Sequence, residues 1–127
     1  MTDRLATAAA RLAARRKSRV TRSVTYSRGD ASVTVSVSVG ETTWEVIDSE
    51  GFTTKWESRD FIMTAADLVL SGSTVLPARG DRIVETDDTA VYTYEAMAPA
   101  SEPVYRFSDR SRVAIRIHTK LVDRTEA

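Results

Sequence analysis

His118 is the only histidine in the chain, and there is no cysteine. Any Ser–His hydrolysis or histidine-centred metal site would have to use it. It stands in RVAIRIHTK beside Arg116 and Lys120, on the polar side of an alternating run, where a surface or rim residue is expected rather than a base. Carboxylates are numerous but spread over turns. The adjacent pair Asp87-Asp88 lies where turn formation explains it, and nothing points to a two-carboxylate hydrolase. The five glycines are expected at separate turns and make no phosphate-cradling pattern. Tyr92, Tyr94, Tyr105 and Phe107, with Arg106, come nearest to a stacking platform for a nucleic-acid strand, although core packing accounts for them more simply. No catalytic residue, metal ligand or cofactor is expected.

One tripeptide asks for explanation. Arg-Gly-Asp occurs at Arg28-Gly29-Asp30 and again at Arg79-Gly80-Asp81. Displayed on a loop, it could serve adhesion. Both copies, however, follow a loop and precede a run of β-branched residues, so glycine freedom and aspartate turn propensity suffice. A small secreted adhesion module would also usually carry disulfides.

The elements that must position these residues are mostly strands. Val33, Val35, Val37 and Val39 alternate strictly with Ser32, Thr34, Ser36 and Ser38, which predicts a strand with one apolar face. Val20, Arg22, Val24 and Tyr26 predict another, joined to it by a hairpin turn at 27–30. Further runs are 42–48 and 52–63, with a turn at 49–51 and with Trp44, Val46 and Phe52 expected in the core. Thr64 to Leu70 predicts a short helical segment capped by Thr64. Strands follow at 82–86, 90–97, 104–108 and 112–122, with a proline loop at 98–103. The expected fold is mainly β, a small β-barrel or sandwich of about seven or eight strands with one N-terminal α-helix. The domain plan is a basic helix or arm over 1–18, a β-barrel domain over 19–122 and a frayed tail over 123–127.

The predicted N-terminal helix, DRLATAAARLAARRK, is rich in Ala, Leu and Arg and lacks Gly and Pro. Its narrow stripe of Leu5, Ala8, Ala9 and Leu12 suits close packing on a neighbour, so Leu5, Arg11, Leu12, Arg15 and Arg16 are candidate subunit-interface residues. Charge is divided to match. Residues 1–30 hold eight basic and two acidic side chains, and residues 31–127 hold ten basic and sixteen acidic, for a net charge of zero over the 127 residues. A basic arm on an acidic body seeks a negative partner, either nucleic acid or the body of another copy. The apolar content of 42% suits one globular domain. No apolar run approaches the roughly 20 residues of a membrane span, and the N-terminus lacks the apolar core of a secretory signal.

The order WESRDFIMTAADLVL, TVLPARGDRIVE, YTYEAMAP, RVAIRIHTK resembles the small head–tail connector proteins of long-tailed phages, variously called head completion, stopper or neck proteins. The resemblance rests on Pro77, Gly80, Asp81 and Ile83, then Tyr92 and Tyr94, Pro99, and Arg112, Arg116, His118 and Lys120. It spans about residues 52–122, with Pro77, Gly80 and Asp81 as its turn; the basic N-terminal segment is less typical of that pattern. The resemblance implies a structural virion protein, assembled in the bacterial host cytoplasm. It implies a homo-oligomeric ring contacting portal or adaptor and tail proteins, with DNA passing through without sequence-specific binding. Ser71, Gly72, Ser73 and Thr74, with the 98–103 loop, are the open candidates for a loop facing that channel. Alternatives are a tail terminator or other neck or tail structural protein, and a small nucleic-acid-binding β-barrel using the basic arm. An enzyme or adhesion module is the remaining reading.

Overall fold

Strand-period sequence becomes strand almost throughout the computed structural model, which describes residues 21–126. β1 (Arg22–Arg28) turns at Gly29 and Asp30 into β2 (Ala31–Ile47). β2 joins two runs that the sequence reading separates. Its first half pairs with β1, Arg22 lying opposite Val37. Its second half, Ser38 to Ile47, pairs with β3 (Thr53–Thr64). The join passes through Gly40, which is therefore not at a turn. A Cβ here would meet the Arg116 guanidinium, which would have to shift, so close approach of that side chain, rather than backbone freedom, marks this position.

The predicted helical segment at 64–70 is a single 3-10 turn, Ala65–Asp67, with no side-chain cap from Thr64. Leu68 and Leu70 are both buried, at a strand's spacing. Drawing both into the core leaves too few residues to meet the cost of nucleating a helix. The chain continues as a ribbon of β4 (Val69–Leu70) and β5 (Ser73–Thr74). β6 (Arg82–Thr86), β7 (Ala90–Ala96), β8 (Tyr105–Phe107) and β9 (Ala114–Glu126) complete the described chain.

The main sheet has seven strands in the order β3-β2-β1-β6-β7-β9-β8, every pairing being antiparallel. β3 pairs with β9 as well, from Arg59–Thr119 to Thr64–Ala114. The pairings of β1, β2, β3, β9, β7 and β6 thus close into a circuit. β9 serves three neighbours, and its far half, against β7, carries a register shift between Thr93 and Tyr94. Residues 123–126, expected as a frayed tail, are the strand that pairs with Ala90 to Thr93. The sequence signal there is weak because those side chains are exposed and alternate no apolar residues.

Inside the circuit lie Val24, Tyr26, Val35, Val37, Phe61, Met63, Ile83, Ile115 and Ile117, all buried. Each such side chain contributes about 1.5–3 kcal/mol by leaving water. The fold is thus mainly β, as expected. The predicted N-terminal helix and the interface candidates Leu5, Arg11, Leu12, Arg15 and Arg16 lie outside the described residues. Trp44 and Val46 are only half-buried, and Phe52 is 67% exposed, not core. The second half of β2 and the first half of β3 run on past the end of β1, so the hairpin tip has no body beneath it to bury Phe52.

Candidate functional site

Among the described residues Thr119, one of six buried polar side chains, donates to the Arg59 carbonyl; the other five occupy three nodes, each joining strands distant in sequence. The first is Asp81, 4% exposed, just after the turn at Ala78–Gly80. Gly80 has a φ of 94°, which only glycine adopts without strain. The turn aims the Asp81 carboxylate inward. Arg28 grips it with two bonds, Nε to Oδ1 at 2.9 Å and Nη2 to Oδ2 at 2.8 Å. The Tyr26 hydroxyl and the Ala78 amide also donate to it. Burial pushes the Asp81 carboxyl up, but Arg28, Tyr26 and the Ala78 N–H outweigh burial and hold it below the usual carboxylate range. Burial, and next the Asp81 carboxylate, push the Tyr26 phenol well up, so it remains a donor.

The two Arg-Gly-Asp triplets therefore meet. Arg28 of the first pairs with Asp81 of the second. Arg79 bonds the carbonyls of Ala98, at 3.2 Å, and Glu102, at 3.1 Å, which fastens the proline loop. That loop is consequently less open than its sequence suggests, with Ala98 and Pro99 buried. Neither triplet presents the free tip that adhesion needs.

The second node lies at the other end of β1. Glu85 accepts from Arg22 at 2.6 Å and from Arg59 at 2.8 Å. Arg59 also stacks on Phe61 and Tyr94, its guanidinium carbon 5.5 and 5.3 Å from the two ring centres. Glu41, Glu57, Tyr94 and Leu121 line an open cleft beside it.

The third node centres on Asp60, which is fully buried. Thr42 and Ser58 donate to it, Ser58 at 2.5 Å, and His118 Nδ1 lies 2.9 Å from Oδ1. Arg116 Nε lies 3.2 Å from Oδ2 but makes no directed hydrogen bond, so that contact is electrostatic. Burial raises the Asp60 carboxyl, yet the bonds from His118, Ser58 and Thr42 together bring it below the usual range. His118 is not a rim residue: it is 4% exposed, and its ring meets Trp44 edge-on with 4.7 Å between ring centres. Trp44 comes from the extended half of β2 and covers the outer face of β9, which a strand-by-strand reading leaves to solvent.

Asp60 with His118 has the form of a carboxylate–histidine pair. Ser58, however, donates to Asp60, not to the ring, so the arrangement activates no hydroxyl as a nucleophile. Among the described residues no group of His, Asp or Glu side chains is placed to hold a metal ion. Asp87 caps its own turn, accepting from Thr89 and Ala90. Tyr94 packs on Phe61, and Tyr105 on Phe107, as core aromatics rather than as a stacking platform. Ser71, Gly72, Ser73 and Thr74 form an exposed hairpin tip around the β4–β5 ribbon.

Sequence reasoning missed Asp60, Glu85, Arg28 and Arg59 as a set. The available signal was a charged residue at an inward position of a strand, as in Ile83-Val84-Glu85.

Among the described residues these buried polar groups tie strands together. A family model described as phage head-tail joining protein matches residues 2–126, and the chain belongs to that family. No curated protein and no solved structure matches it. The match takes in the basic N-terminal segment as well as residues 52–122, where the resemblance was drawn. The family is one of structural phage proteins, not a class of enzymes, and its place is the virion. No helix among the described residues is long and apolar enough to cross a membrane.

Proposed function

We propose that copies of this chain form a closed ring at the phage neck, between portal or adaptor and tail, around the path by which DNA leaves the head. The role is that of a head-completion protein or stopper. The family match along residues 2–126 carries this reading. The interior supports it. Apolar side chains fill the strand circuit, with Arg28–Asp81 at one end of β1 and Arg22–Glu85–Arg59 at the other. A filled, ion-paired interior leaves no passage within one copy, so a DNA path belongs between copies. The Ser71–Thr74 tip suits a channel lining because it is small, polar and uncharged, with nothing to hold phosphates by charge. On this reading the circuit of six strands serves as a small β-barrel.

The test is loss of the gene product in an infected host. Full heads and complete tails should accumulate unjoined, and adding the purified protein to the mixture should join them. Tails of abnormal length, with normal heads, would instead assign the chain to tail termination. Normal infectious particles would exclude a joining role.

A further inference from the structure

Beyond Val37 the β1-side edge of β2, from Ser38 to Ile47, has no strand beside it among the described residues. Ten strand residues at about 3.3 Å each carry the β2–β3 hairpin roughly 33 Å past the last β1 pairing. One face of the hairpin covers His118 and β9 through Trp44 and Trp56. The opposite face exposes Glu41, Glu45, Ile47 and Glu57, with Lys55 opposite Glu45 and with Arg59, opposite Glu41, engaged by Glu85; Phe52 stands out at the tip. The segment 41–57 has five acidic residues and one basic residue. Residues 1–20, which precede β1, have six basic and one acidic.

We propose that this hairpin face is a docking surface for a second copy of the chain, whose residues 1–20 are the occupant. The inference deepens the ring reading and rests on it. Charge complementarity selects the occupant: a net +5 segment faces a net −4 hairpin. It also suits the symmetry of a ring. Two different patches of opposite charge on one chain fit a head-to-tail interface, in which each copy gives its basic segment and receives its neighbour's. Repeated with closure, that contact makes a ring. A twofold exchange of basic segments would satisfy the same charges in a pair of copies only, and the ring reading selects the head-to-tail form. Ile47 and Phe52 add an apolar anchor, for which Leu5 and Leu12 are the matching side chains.

The absence of cysteine makes introduced pairs unambiguous. Two tagged versions, Glu45→Cys and Arg15→Cys, are supplied together during infection, and joined particles are purified and oxidised. The result expected is a disulfide-linked heterodimer carrying both tags. The double variant Glu45→Cys/Arg15→Cys, diluted with unmodified chain, separates the routes: a link closed only within one copy overturns the proposal. Particles that contain both tags but no link also overturn it and leave the ring reading intact. Absence of the chain from joined particles removes the ring reading, and this inference with it. Charge exchange gives a second measure. Glu41→Lys/Glu45→Lys/Glu57→Lys and Arg11→Glu/Arg15→Glu/Arg16→Glu should each lower the yield of joined particles at least tenfold, and their combination in one chain should restore it. Full yield from either triple alone, or no restoration, contradicts the pairing. The hairpin substitutions are all at exposed positions, and an unchanged melting temperature checks that fold is not the cause.

Discussion

The Arg28 guanidinium and the Asp81 carboxylate meet in a two-bond pair across 53 positions of sequence, each drawn from a different Arg-Gly-Asp triplet. The repetition is thus structural: one triplet ends β1, the other leads into β6, and those strands are neighbours. Removing Asp81 leaves Arg28 and Tyr26 without their acceptor. Because Asp81 is buried while Arg28 is partly open to water, Asp81→Ala should cost about 3 kcal/mol, the lower end for breaking such a pair. For a domain of this size that is a fall of roughly 10–20 °C in melting temperature. Calorimetry showing less than about 3 °C would contradict the role given to the pair.

Acid stability follows from Asp60 and Asp81 together. Both carboxyls are held below their ordinary range in the fold. A lowered folded pKa contributes stability that is present above the unfolded value, about 3.9, and is lost as pH falls through the folded value. Urea midpoints should therefore be level from about pH 7 to 5 and drop steeply below about pH 4. Asp81→Asn should start lower and lose less over the same interval. Parallel curves for the two proteins would exclude Asp81 as a source of the slope.

Gly40 and Arg116 test the third node. A methyl group at 40 must displace the guanidinium from its place over the strand, and with it the contact to Asp60. Gly40→Ala should cost about 1 kcal/mol, the low end for overpacking, because the group displaced is the far end of a flexible side chain. In an Arg116→Ala background most of that cost should vanish, since nothing is left to displace. Equal costs in both backgrounds would mean that the glycine answers some other constraint.

These cases show what could be read from the chain beforehand and what could not. The valines at 33, 35, 37 and 39 declare a strand, and the glycines at 29, 51 and 80 declare turns, because both signals are local. The pairing of Arg28 with Asp81 is not local, and no spacing rule supplies it. His118 looks like a rim residue because its own strand alternates there, and Trp44, from a strand far back in the chain, covers it. Gly40 looks like a turn because the side chain that crowds it lies 76 positions later. Phe52 was read as core because apolar character alone does not reveal that a hairpin outruns its sheet. Membership of the joining family is legible in the resemblance over residues 52–122, whereas the nodes that hold the fold are not.

The small tip at Ser71–Thr74 carries a kinetic prediction. If it faces the channel, Ser71→Lys/Ser73→Lys should leave the melting temperature within about 1 °C, as exposed changes do. It should also slow DNA release from triggered particles, more at low salt than at high salt. Release at the unmodified rate at every salt concentration would remove this tip from the channel.

The joint itself is the central claim, and imaging the neck tests it most directly. In a reconstruction of joined particles at side-chain resolution, copies of this chain should form a closed ring between head and tail. DNA should run through the central opening, and Arg28 should be paired with Asp81 inside every copy. Density for the chain elsewhere in the particle, or DNA threading a single copy's strand circuit, would contradict the account.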